Sequence, residues 1–194
     1  MVTAGLLNER VRDAHRFLYR PPACRLIARQ RGTFGSPPEA VGATPLTGWS
    51  TISWWLPGEG PSGSYATPGM VSSDGLMGET PFALRVRAPE DGRYRVLLGG
   101  VIETPGTTPL NLHLKIAKNI NDDGPQWADD DRVIASCAPG RATSSRGFGA
   151  LSATVRLQKG ETISAGGIAD QPFILGTASL PGRTWMSVRW VGRY

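Results

Sequence analysis

The chain has 194 residues, 40% of them hydrophobic, with 25 glycines, 16 prolines and a formal net charge of +5. That length holds one well-cored domain with a short appendage, and glycine and proline without a collagen-like period read as turn punctuation in an all-β domain, not as disorder. Residues 1–31 carry seven arginines against Glu9 and Asp13, which accounts for the whole excess charge; the remainder balances 14 basic with 14 acidic residues, so the basic pI describes a leading arm and predicts no nucleic-acid partner.

From Thr3 to about Tyr19 the pattern is helical. Leu7, Val11, Ala14 and Leu18 recur at spacings of four, three and four, with Phe17 alongside and Arg10, Arg12, Asp13 and Arg16 mostly on other faces. Thr3 is a suitable N-cap, and "RPP" at 20–22 stops the helix, because proline removes a donor and pushes its predecessor out of the α region. A lone helix this short is marginal in water. Its apolar stripe must rest on its own domain, on copies of itself or on another protein.

After the prolines, "ACRLIARQ" reads as a first strand, 32–48 as a linker and "WSTISWWL" (49–56) as a strand before a glycine-proline loop. "PFALRVRA" alternates Phe82, Leu84, Val86 and Ala88 inward with Ala83, Arg85 and Arg87 outward, the period of a half-buried strand. "PEDG" (89–92) is a tight turn from which "RYRVLLGGVIE" returns as the partner strand. "LNLHLKIAK" alternates Leu110, Leu112, Leu114 and Ile116, "LSATVRLQKGETISAGGI" supplies two strands hinged at "KGE", and "RTWMSVRWVGRY" closes the series. Short strands at about ten-residue spacing predict a β-sandwich or jelly roll. The predicted organisation is a docking helix over 1–22, a first strand and linker over 23–48, and a β-sandwich domain over 49–194.

Three of these phrases carry a family likeness. "FALRVRAPEDGRYRVLLGGVI" resembles the strand-turn-strand of the complement globular-head (C1q) and tumour-necrosis-factor-like (TNF) jelly rolls, "LSATVRLQKGETISAGG" is similar to that family's later hairpin, and "RTWMSVRWVG" sits where its closing aromatic strand would be. The opening "VTAGLLNERVRDAHRFLYRPP" resembles the start of many minor tail or fibre-like proteins of actinobacterial viruses. The first likeness implies a C1q/TNF-like jelly-roll body that forms a homotrimer by burying an apolar flank. The second implies a bacteriophage virion protein, a minor tail, tail-tip or fibre component, made in the host cytoplasm and fastened to other virion proteins by its N-terminal segment. Together they imply an assembly helix whose Leu7, Val11, Arg12, Phe17 and Leu18 meet neighbouring copies or the particle. A helix folded back on its own sandwich is the other reading.

Catalytic chemistry finds little footing. His15 and His113 are the only histidines, and neither neighbours a nucleophile, so no enzyme is expected. Cys24 and Cys137 lie 113 positions apart without metal-ligand spacing and are expected as free, buried thiols. No run reaches the ~18 apolar residues of a membrane span, and "MVTAGLLNERV" meets charge too early for a secretory leader. In "NINDDGPQWADDD" (119–131), Asn119, Asn121, Asp123 and Gly124 fall at the first, third, fifth and sixth positions of a calcium loop, with Asp130 at the twelfth. A Ca2+ site competes here with a solvated loop that guards a sheet edge. Of six tryptophans, Trp127 in this acidic loop is the one expected to face outward, toward a surface glycan; the others suit a core or trimer interface. Besides the tail protein, a capsid decoration or head fibre protein of the same fold and a non-viral carbohydrate-binding module stand as alternatives.

Overall fold

A computed structural model describes residues 11, 20–28, 50–60, 62–77, 80–103, 112–120, 125–129, 131–137, 146–169, 174–175 and 184–193. The predicted helix and the linker lie outside them, apart from Val11, which is exposed. The described elements are strands β1 (Ala23–Ile27), β2 (Ser50–Thr51), β3 (Trp54–Trp55), β4 (Tyr65–Ala66), β5 (Gly75–Met77), β6 (Thr80–Ala83) and β7 (Val86–Arg87). They continue with β8 (Gly92–Glu103), β9 (Leu112–Lys118), β10 (Val133–Cys137), β11 (Arg146–Leu157), β12 (Thr162–Ala169), β13 (Ile174–Leu175) and β14 (Trp185–Gly192), and a single 3-10 turn spans Pro125–Ala128. Among the described residues the fold is predominantly antiparallel β-sheet, as the glycine-proline punctuation predicts.

A six-stranded sheet runs β11-β8-β14-β1-β4, with β13 also on β8, and a five-stranded sheet runs β10-β9-β12-β2, with β7 also on β12. A small third sheet, β3-β6-β5, extends the assembly. Every described pairing is antiparallel. Four pairings are nested about the β9–β10 connection: β9 with β10, β8 with β11, β7 with β12, and β1 with β14.

Strict alternation builds the core. Tyr94, Val96 and Leu98 of β8, Cys24 and Leu26 of β1, and Met186 and Val188 of β14 point inward from the wide sheet. Leu114 and Ile116 of β9 and Ile163 and Ala165 of β12 meet them from the other sheet in one continuous cluster with Trp54. Each fully buried aliphatic side chain contributes about 1.5–3 kcal/mol of gross transfer free energy, most of it offset by the ordering of the chain.

Three expectations need correction. Residues 81–88 are not one strand: Asp74 breaks them by accepting the Leu84 N–H at 2.7 Å and the Arg85 guanidinium at 3.0 and 2.5 Å. The break resets the alternation, so that Ala83 is buried and Phe82 only half-buried. Nor is "WSTISWWL" one strand, since β2 joins the five-stranded sheet and β3 the small one. Finally, "PEDG" and "QKGE" do not close hairpins. β7 and β12 belong to the five-stranded sheet and β8 and β11 to the six-stranded one, so both turns carry the chain across the sandwich.

These two crossings lock together at one end of the body. Ala88 N–H donates to Glu161 O and Gly160 N–H to Ala88 O, both at 2.8 Å, and Lys159 N–H donates to Asp91 Oδ1 at 2.7 Å. Tyr94, whose ring is in the core, donates its hydroxyl to Glu90 O at 2.7 Å and so ties the first crossing to the sheet it enters. Gly160 sits at φ 91°, a conformation that glycine adopts without a side-chain penalty. At Gly92 the need is space: a Cβ there would lie 2.1 Å from Trp190 Nε1.

Candidate functional site

The two sheets treat their outer faces differently. Over the five-stranded sheet, the turn at Pro125–Ala128 seats Trp127 against Gly166, where an added Cβ would stand 2.7 Å from the indole ring. Trp127 is 0% exposed, donates Nε1–H to Thr51 Oγ1 at 3.2 Å, and clusters with Ala117 and Ile120. Lys115 Nζ fixes the turn by donating to Trp127 O at 2.9 Å. The expectation of an outward glycan contact at Trp127 is therefore corrected: a large apolar ring finds a seat on a sheet face that glycine leaves bare, and burying it outweighs the polarity of its loop.

The predicted calcium loop is described only in part. Asn121, Asp123 and Asp130 lie outside the described residues. Asn119 has its side chain committed: Oδ1 accepts the Thr162 N–H and Nδ2 donates to Glu161 Oε1, both at 3.0 Å. Its carbonyl accepts Arg132 Nη1 at 2.5 Å, placing a guanidinium against the first position of the loop. Its positive φ of 55° suits asparagine in a left-handed turn. Asn119 thus serves as a brace between β9 and the second crossing. Burial works to raise the Glu161 carboxyl, but the Gln158 N–H, the Asn119 amide and the Lys118 ammonium together outweigh it and hold it below its usual range.

The other singled-out residues scatter. His113 is exposed on β9, and no group of three or more His, Cys, Asp or Glu gathers among the described residues. Cys24 is a free thiol in the core, and desolvation pushes its pKa up to about 12, which makes it a poor nucleophile. His15, Leu7, Arg12, Phe17 and Leu18 lie outside the described residues, as does the side chain of Cys137. Among the described residues no helix is long and apolar enough to cross a membrane.

The outer face of the six-stranded sheet has no comparable cover in the described residues. Arg93 and Arg95 of β8, Arg156 of β11, Arg189 of β14 and Arg25 of β1 are all exposed on it. Register places Arg93 opposite Arg156 and Arg95 opposite Arg189. Ser152, Thr154 and Ser187 stand between them, and no described side chain of these strands on this face is acidic. Asp91, at the start of the face, accepts the Lys159 N–H on Oδ1 at 2.7 Å. Arg25 lies 5.1 Å from the centre of the Trp185 ring, which also packs on Gly99, where an added Cβ would stand 3.1 Å from it. Tyr65, paired with Arg25, is 53% exposed. Sequence reading passed over this cluster because the body's charge sums to zero. The available signal was arginine alternating with apolar residues in "RYRV" and "SVRW".

An apolar flank of the kind a trimer would bury is not found among the described residues: in the body, Tyr65 and Val191 are the large hydrophobics that stand exposed. No protein-family model matches the chain, and a search of curated proteins finds no match.

Proposed function

We propose that this chain is a structural protein of a bacteriophage particle, a minor tail, tail-tip or fibre component with a jelly-roll body, held as a homotrimer and fastened by its N-terminal segment. One observation carries the reading: the nested pairings β1–β14, β7–β12, β8–β11 and β9–β10, distributed over two sheets in the orders β1-β14-β8-β11 and β7-β12-β9-β10. This order is the one expected of a chain folded into one long hairpin and wound across a sandwich, and it supports the jelly-roll reading. It agrees with the fold implied by the resemblance of 82–102 and 151–167, and the opening likeness adds the virion setting. The protein acts by contact: the docking helix positions the body and the body presents a surface.

Sedimentation of the full chain tests the assembly. A species of about three times the 20.7 kDa chain mass is expected. Replacing Leu7 and Leu18 by aspartate should leave the β-body folded and abolish co-purification with phage particles. A well-folded monomer that never co-purifies with particles overturns the reading.

A further inference from the structure

We infer that one buried water molecule forms part of the joint between the small third sheet and the six-stranded sheet, bound between the indole N–H of Trp54 and the hydroxyl of Ser64. Nitrogen and oxygen atoms of buried side chains are almost always hydrogen-bonded, and one left alone is costly. Among the described residues, three such atoms find no partner in the protein: Trp54 Nε1, Ser64 Oγ and Ser164 Oγ. Ser164 stands apart on β12. The other two come together along β1.

Register places them. β4 runs beside β1 with Cys24 opposite Ala66 and Arg25 opposite Tyr65. Ala66 packs on the core and Tyr65 is exposed, so alternation turns the Ser64 side chain back toward the core, level with buried Leu26. β14 takes the other side of β1. On the β4 side the next link is the bridge from Ala28 to Trp54, whose side chain lies wholly within the core. Ser64 and Trp54 are therefore consecutive inward neighbours along one strand edge, at levels roughly 6.8 Å apart. A direct hydrogen bond reaches only about 3.2 Å, whereas two bonds through one oxygen span about 5.6–6 Å. A water at this corner accepts the indole N–H and donates to the serine oxygen, which gives it the two polar partners a buried water needs. Among the described residues, Ala28–Trp54 is the backbone bridge that links the small sheet to the wide one. The water adds a second polar tie, from the same tryptophan to the segment that leads into β4.

The test uses the full chain. In water-selective NMR, the Trp54 indole N–H should show NOE and ROE cross-peaks to water of opposite sign, the mark of a long-resident molecule, and the NOE should vanish in S64A. S64A should also melt about 2–4 °C below the parent, because a satisfied hydroxyl and its water are lost together. A hydroxyl with no partner gives the reverse sign, since its removal relieves a penalty. S62A, on exposed Ser62 of the same loop, should melt with the parent. No long-resident water at Trp54, an NOE that persists in S64A, an S64A midpoint at or above the parent's, or an equal loss in S62A overturns the inference.

Discussion

Replacing Gly166 by alanine should damage the protein through a residue almost forty positions away. The new Cβ would stand 2.7 Å from two carbons of the Trp127 ring, well inside the 3.5–4.0 Å at which carbon atoms attract. The ring has no easy retreat. It is 0% exposed, its Nε1–H is held by Thr51 Oγ1, and its carbonyl is held by Lys115 Nζ. Overpacking of this kind costs about 1–3 kcal/mol, which for a chain of this size lowers the melting midpoint by about 2–12 °C. Trp127→Ala alone should cost about 3–5 kcal/mol. With the indole gone, the added methyl meets empty space, so Gly166→Ala in the Trp127→Ala background should cost less than about 0.5 kcal/mol. Urea unfolding of the four proteins closes the cycle. An equal cost for Gly166→Ala in both backgrounds would show that the tryptophan does not occupy that seat.

Asp74→Ala should cost about 1.5–3 kcal/mol in urea unfolding, because a carboxylate accepting one backbone N–H on Oδ2 and two guanidinium N–H groups on Oδ1 is removed from a site where it is largely buried; a change below about 0.5 kcal/mol would remove Asp74 as the cause of the break between β6 and β7. Glu161 sets an acid limit. Its folded pKa lies below the ordinary carboxyl value, so its contribution is complete above the unfolded value of about 4.3 and is lost as pH falls through the lowered folded one. Wild type should therefore exceed Glu161→Gln in melting midpoint at pH 7, with the two converging toward pH 3; a gap that stays constant over that range refutes the linkage.

How far the fold was legible depends on how local its causes are. Alternation in 23–27, 92–98 and 185–188 depends on neighbouring residues alone, and each strand stands where the period of two puts it. The turns "PEDG" and "QKGE" were equally visible, because proline and glycine act on their own backbone. Their destinations were not, since β7 chooses β12 through a register with residues some 75 positions later. Asp74 breaks 81–88 from outside the segment, which no pattern within "PFALRVRA" could disclose. Trp127 illustrates the limit at the candidate site: its loop is polar, and only the bare sheet at Gly166 explains its burial. The arginine face was hidden by arithmetic. Opposite charges elsewhere cancel it in the sum, while strand order gathers it in space.

The position of β14 bears on the order of synthesis. This strand lies between β8 and β1 in the six-stranded sheet, so two neighbours made much earlier wait for it. A nascent chain that has reached residue 183 owns both flanking strands and nothing to join them; their unpaired backbone edges stay open until Trp185–Gly192 leaves the ribosome. Closure of the wide sheet is thus a late, single event, and a chain clipped before that strand would carry the makings of aggregation instead of a smaller version of the fold.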